Sequence, residues 1–269
     1  MSRTLTLDTP KMQARVDGDG LGWIIFNQPE RHNAISLAMW EGLAAIIDDF
    51  ASAGDVRVAV MRGAGGRAFV SGADISEFED KRANAEQKDA YARVAGEASR
   101  RLARFEKPLI ALIEGYCIGG GLATALAADI RFATPDARLG IPAARLGLGY
   151  EYEGLAKLAR VVGPSRARDI LFSARYLEAE EARGMGLVNF VAGRDVIEAE
   201  VIGYARRIAG NAPLTVKAAK AALNAWERGG RDDELNEVRR LVDACFDSDD
   251  YREGRSAFAA KRPPAFRGR

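Results

Sequence analysis

Three consecutive glycines, Gly119, Gly120 and Gly121, sit at the centre of the most constrained stretch of the chain, residues 107–133, KPLIALIEGYCIGGGLATALAADIRFA. The stretch opens with an apolar run at 109–113, short enough and β-branched enough to be a buried strand. It turns through Glu114 and Gly115 into the triplet, and small and apolar residues then run from 122 to 128 as a helix would. The pattern is strand, glycine turn, helix. Glycines just before a helix open backbone angles closed to other residues and let a ligand approach bare N–H groups. Those groups sit at the positive end of the helix dipole, where developing negative charge is stabilised. Tight helix–sheet packing accounts for the triplet equally well at this level. No Gly-Lys-Ser/Thr follows, which argues against a phosphate-binding P-loop, and the GxGxxG spacing of a dinucleotide site is missing.

A chain of 269 residues can form one large domain or a domain with an appendage, and can bury a sizeable core without staples. Its formal charge of +1 gives no electrostatic reason to expect nucleic acid or acidic lipid as the main partner. Two distant cysteines, Cys117 and Cys245, suggest a reducing compartment rather than a disulfide framework. The opening MSRTLTLDTP lacks the apolar core of a signal peptide and no run is long enough to cross a bilayer, so a soluble cytoplasmic protein is the expectation. The single histidine, His32, leaves no Cys/His cluster at zinc-ligand spacing. A Ser-His-Asp arrangement would have to use it within a polar, turn-like segment, so acid–base work is expected of carboxylates.

Residues 11–26 read as a hairpin turning at Asp17-Gly18-Asp19-Gly20. The loop NQPERHNAIS follows, with Pro29 resisting helix and Ser36 able to cap the next one. Leu37, Trp40, Ala44, Ile47 and Ala51 recur at helical spacing, and residues 56–61 read as a central strand. Strand, helix, strand predicts a right-handed crossover and a parallel pair. In residues 68–75, AFVSGADI, Gly72 permits an unusual turn after which the Ala73 N–H can face a ligand. Residues 76–104 read as a solvated helix with a mobile stretch at 81–88, and 137–149 as short strand and turn. Glu151 and Glu153 then precede a periodic run, and Pro164 and Ala179 open further helices before a strand at 187–191. From 195 onward the pattern is helical only. Ile197, Val201, Tyr204, Ala205 and Ile208 share a face, and helices follow at 213–228 and 233–246. The shift divides the chain into an α/β core, 1–194, and a helical region, 195–269, that packs on its own core or on another subunit.

Together, NQPERHNAIS, VRVAVMRG, AFVSGADISEF, the triglycine stretch, ARLGIPAARLGLG and DYREGRSAFAAKR resemble the crotonase family, also called the enoyl-CoA hydratase/isomerase family. The motifs run in the expected order over about residues 11–261. The resemblance implies an α/β spiral of ββα units with a helical trimerisation region, assembled as a homotrimer or a dimer of trimers. It implies an acyl-CoA substrate, with coenzyme A entering as part of the thioester, no separate cofactor and no metal. Two backbone N–H groups, matching Ala73 and Gly120, would hold the thioester oxygen as it becomes an enolate oxyanion. The family places coenzyme A near the loop of Arg31, along the backbone of Ala73, Asp74 and Ile75, and near the tail motif of a neighbouring subunit, here Phe258 and Lys261. Each of those three side chains reads equally well as an exposed charge or a packed aromatic.

One departure matters. Hydratases of this family resemble one another in carrying two glutamates at positions that are Ala123 and Ala143 here, and neither alanine can move a proton. Glu151 matches the position of an aspartate in members that isomerise dienoyl-CoA or dehalogenate chlorobenzoyl-CoA. It serves equally as a helix-start acid, and Glu153 is the alternative proton carrier, with Tyr150 and Tyr152 as pocket walls. One carboxylate suffices to take a proton from one carbon of an enolate and return it to another. Isomerase-like chemistry is therefore favoured, with a single-acid hydratase, hydrolase or decarboxylase and a non-catalytic acyl-CoA-binding trimer as alternatives.

Overall fold

In the hairpin, β2 (Met12–Val16) alternates buried and exposed residues and pairs antiparallel with β3 (Leu21–Phe26). From β3 the chain crosses over through α1 (Leu37–Ser52) to β4 (Val58–Gly63), which lies parallel to β3 as the strand–helix–strand pattern requires. The computed structural model describes residues 2–77, 84–150 and 152–269.

A repeated pair of strands then builds two sheets. β4, β6 (Leu109–Ile113) and β8 (Ile130–Ala133) enter a seven-stranded sheet that runs from β1 (Arg3–Thr4) to β11 (Phe190–Val191), in the order β1-β2-β3-β4-β6-β8-β11. Their partners β5 (Ala68–Val70), β7 (Tyr116–Ile118) and β9 (Arg138–Gly140) enter a four-stranded sheet with β10 (Leu177–Glu178), in the order β10-β9-β7-β5. The helices α2 (Ala85–Ala103), α3 (Gly120–Ala125) and α4 (Tyr152–Val162) follow in turn, which is the expected spiral of ββα units. The expected strand–turn–helix at the triglycine lacked β7. Its three residues are too short to show a period, and they form a strand because β5 and β9 flank them.

The large sheet is buried on both faces, so β4 and β6 read as near-continuous apolar runs. Successive residues point to opposite sides. Ala59, Met61, Leu109, Ala111 and Ile113 join the core shared with α1 and α2, whereas Val58, Val60, Ile110 and Leu112 join a second core. That second core is closed by α7 (Ile197–Ala209), through Ile197, Val201, Ala205 and Ala209. The expected division at residue 195 therefore does not separate packing units, because the first helix beyond it covers the sheet. Only α8 (Pro213–Glu227), α9 (Asp232–Asp247) and α10 (Asp249–Ala259) continue past it, Ser248 capping α10 by accepting the Tyr251 N–H. Helix α5 (Pro164–Ser173) begins at its proline, and α6 (Ala179–Gly184) precedes β11.

Two local expectations shift. Helix α1 buries Met39, Trp40, Leu43, Ile46, Ile47 and Phe50, a broader face than expected, and leaves Ala51 exposed, because the helix is wedged between the sheet and α2. Part of the stretch expected to be mobile, residues 81–83, lies outside the described residues. Ser36 caps α1 as expected, its side chain accepting the Met39 N–H. Among the described residues no helix is long and apolar enough to cross a membrane. Because Ile197 is 1 % exposed within the second core, Ile197→Ala should destabilise the whole chain by about 2–5 kcal/mol in urea unfolding. A separate early transition for the last seventy or so residues, with the sheet unaffected, would instead mean that α7 is part of an appendage.

Candidate active site

The strands β9, β7 and β5 run parallel in the small sheet, so the loops leaving their C-terminal ends lie side by side. Such loop clusters are where parallel α/β structures bind ligands. They comprise residues 71–74, 119–121 and 141–150.

The first loop is clamped by NQPERHNAIS. Ser71 N–H donates to the His32 carbonyl at 3.1 Å, Ile35 N–H to the Gly72 carbonyl at 2.8 Å, and Asp74 N–H to the Ile35 carbonyl at 2.9 Å. This single parallel bridge between Ile35 and Ala73 uses the peptide groups on either side of Ala73. The Ala73 N–H is turned the other way and has no hydrogen-bond partner among the described residues. The clamping segment is itself held by buried Asn33, which takes a left-handed φ of 57° that asparagine tolerates. Its side chain accepts the Gln28 N–H at 2.9 Å and donates to the carbonyls of Ala64 and Ala68 at 3.0 and 2.8 Å.

Asp74 is 5 % exposed and fully engaged. It accepts from Gln28 Nε2 at 3.0 Å, Arg31 Nη1 at 3.1 Å, and Ser76 Oγ at 2.7 Å. Burial opposes ionisation of the carboxyl, but the hydrogen bonds from Ser76 and Gln28 and the charge of Arg31 outweigh it and hold Asp74 below its ordinary range. Of the expected coenzyme A contacts along this backbone, the Asp74 N–H is thus already spent on Ile35, and the Asp74 side chain braces the loop. Ile75 begins the single helical turn Ile75–Glu77. Arg31 lies against the loop, half-exposed and tethered to Asp74 and Ser76.

The two accounts of the triglycine divide among its residues. Gly119 adopts φ 57°, ψ −118°, which only glycine takes easily. A Cβ on Gly121 would lie 2.1 Å from the Val70 carbonyl oxygen, so this glycine is there for packing between α3 and β5. A Cβ on Gly120 would meet nothing within 4 Å. Gly120 is the first residue of α3, and its N–H has no partner among the described residues. Because β5 and β7 are paired, Ala73 and Gly120 stand at adjacent strand ends, three residues beyond Val70 and two beyond Ile118.

In the third loop, Gly119 N–H donates to the Gly140 carbonyl at 2.8 Å, joining the triglycine to β9. Ala143 lies half-buried in the turn Pro142–Leu146, and Ala123 half-buried on α3. Tyr150 is half-buried with its hydroxyl toward Gly119, whereas Tyr152 is 75 % exposed. Glu151 lies outside the described residues, and Glu153 is exposed in the first turn of α4. Phe258, 87 % exposed, and Lys261 stand on the C-terminal helical region rather than on these loops. Burial pushes the Cys117 thiol up, making it a poor nucleophile. Among the described residues no group of three or more His, Cys, Asp or Glu is placed to hold a metal ion.

The enoyl-CoA hydratase/isomerase family model matches residues 17–269. The chain belongs to this family. It is 32 % identical over 239 residues to the short-chain-enoyl-CoA hydratase of Clostridium acetobutylicum, covering 89 % of this chain and 91 % of that protein. It is 35 % identical over 248 residues to a probable enoyl-CoA hydratase of Bacillus subtilis, covering 91 % and 93 %. A crystal structure of an enoyl-CoA hydratase/carnithine racemase from Magnetospirillum magneticum superposes with a TM-score of 0.90 at 38 % identity, covering 97 % of each chain. The family is thus supported by sequence and backbone together, and the crotonase-like fold was legible from the ordered motifs. The bracing roles of Gln28, Asn33 and Asp74 were not. Their only signal was that polar residues crowd two short segments which the fold brings together.

Two outcomes follow from this geometry. Gly121→Ala should cost about 1–3 kcal/mol by forcing apart α3 and β5, while Gly120→Ala should leave the thermal midpoint unchanged. Asp74 has a lowered folded pKa, so its stabilisation is present above the unfolded value of about 3.9 and lost as pH falls through the folded one. Asp74→Asn should therefore be less stable than the parent at pH 7, and the difference should narrow in acid.

Proposed function

We propose that this chain is an acyl-CoA-thioester enzyme that stabilises a thioester enolate between the N–H groups of Ala73 and Gly120, with Glu151 moving protons and isomerase-like chemistry favoured. The observation that carries this is the pair of peptide N–H groups at adjacent strand ends, unpaired among the described residues. Such donors act where negative charge develops, and one of them can lower a barrier by about 3 kcal/mol in a site shielded from water.

Arg31, Ala73, Asp74 and Ile75, with Phe258 and Lys261 of a neighbouring subunit in a homotrimer or dimer of trimers, take the coenzyme A portion. Coenzyme A arrives with the substrate and no separate cofactor is required. The alanines at 123 and 143 support one-carboxylate proton transfer over two-glutamate hydration. Hydration is the second reading, supported by relatives that are themselves named hydratases. A non-catalytic acyl-CoA-binding trimer is the reading from a different class.

Solvent deuterium exchange at the α and γ carbons of bound enoyl-CoA thioesters, followed by mass spectrometry, separates these. Exchange without net water addition is expected, with Glu151→Gln reducing it by about 10²–10⁴-fold. Unaltered exchange in that variant removes Glu151 from the role, net water addition favours the hydratase, and binding without exchange or turnover favours the non-catalytic trimer. Gly120→Pro, which keeps a residue suited to a first helical position but deletes the N–H, should lower kcat by about 10²–10³-fold.

A further inference from the structure

Tyr150 is the last described residue of the third loop, and its phenol lies against the triglycine. A Cβ placed on Gly119 would come within 3.7 Å of the Tyr150 hydroxyl, and one placed on Gly154 would come within 3.6 Å of the ring carbon Cδ1. The ring also packs on the main core. It is thus held between the turn that presents the Gly120 N–H and the first turns of α4, with its polar end toward the turn. The hydroxyl has no hydrogen-bond partner among the described residues and is not sealed from solvent, so it is free to donate to a ligand that displaces water. Burial raises the phenol above its ordinary pKa, so at neutral pH it carries its proton and can donate.

On the reading that the site holds a thioester enolate, we infer that the Tyr150 hydroxyl is a third hydrogen-bond donor to the thioester oxygen, joining the N–H groups of Ala73 and Gly120. The chemistry suits the position. A neutral phenol stabilises an oxyanion without introducing a charge that would have to be desolvated, and it is already aimed at the glycine beside Gly120. Tyr150 then does more than wall the pocket. It supplies a protic group close to a helix whose own position 123 is an alanine.

The test uses a β-ketoacyl-CoA thioester, whose enolate absorbs in the near ultraviolet and whose keto form does not. The fraction of bound thioester present as enolate is titrated against pH for the parent chain and for Tyr150→Phe, with Tyr204→Phe, on α7 and outside the three loops, as a control. Removing one donor to a charged oxygen should shift the bound keto–enolate equilibrium toward the keto form by about 10- to 100-fold. Affinity for a CoA thioether, which lacks the oxygen, should stay within about twofold. Tyr204→Phe should behave as the parent. An unchanged enolate fraction in Tyr150→Phe would overturn the assignment while leaving the thioester reading intact. Equal weakening of the thioether and the thioester would also overturn it, since that marks a packing role alone. If the parent chain bound the thioester without enriching its enolate, the oxyanion reading itself would fail, and this inference with it.

Discussion

The site depends on how closely two backbones approach where α3 crosses the end of β5. Any side chain at Gly121 would occupy the place of the Val70 carbonyl oxygen. That contact lets the first turn of α3 sit directly over the small sheet, and the parallel pairing of β5 with β7 fixes how far the two strand ends can separate. The Ala73 and Gly120 peptide groups are therefore held at adjacent strand ends by covalent geometry and ladder hydrogen bonds. No side chain has to be ordered to point them, so no rotamer entropy is lost when a ligand arrives.

Around this contact the buried side chains of Asn33 and Asp74 brace the loops. Asn33 ties the loop before α1 to the strands on either side of it, and Asp74 ties the turn after Ala73 back to Gln28 and Arg31. Both are buried, so their hydrogen bonds are replaced by nothing if broken, and the loss falls on the orientation of the Ala73 peptide. The half-exposed Arg31 stands at the boundary, with its inner edge on Asp74 and the rest of its surface open. Its open edge leaves it free to meet a charged group without abandoning the loop.

What the sequence made legible follows from the range over which each signal acts. The hairpin at β2–β3, the strand at 109–113, the Ser36 cap and the proline-led helices α5 and α8 are local, and all stand as expected. So does the order of motifs that marks the family, because each is a run of a few residues. Three features needed the tertiary structure. Strand β7 is stabilised by neighbours distant in sequence. Helix α7 reads as part of an all-helical region, yet its apolar stripe is matched to Leu21, Trp23 and Val58 on the sheet. The triglycine gave one pattern for three separate causes, a backbone angle, an open N–H and a steric limit, and only the surroundings of each glycine tell them apart.

The division of labour between backbone and side chains also bears on chemistry. Peptide N–H groups do not depend on which side chains surround them, so alanines at 123 and 143 leave those of Ala73 and Gly120 as they are. Proton transfer, in contrast, needs a titratable or protic group within reach of a particular carbon or oxygen. In this chain the Thr124 hydroxyl is spent on the Gly120 carbonyl at 2.8 Å, and the Tyr150 hydroxyl lies against Gly119 from the third loop. On the proposed reading, the first two loops hold a negative oxygen and the third loop with the start of α4 supplies the proton carrier.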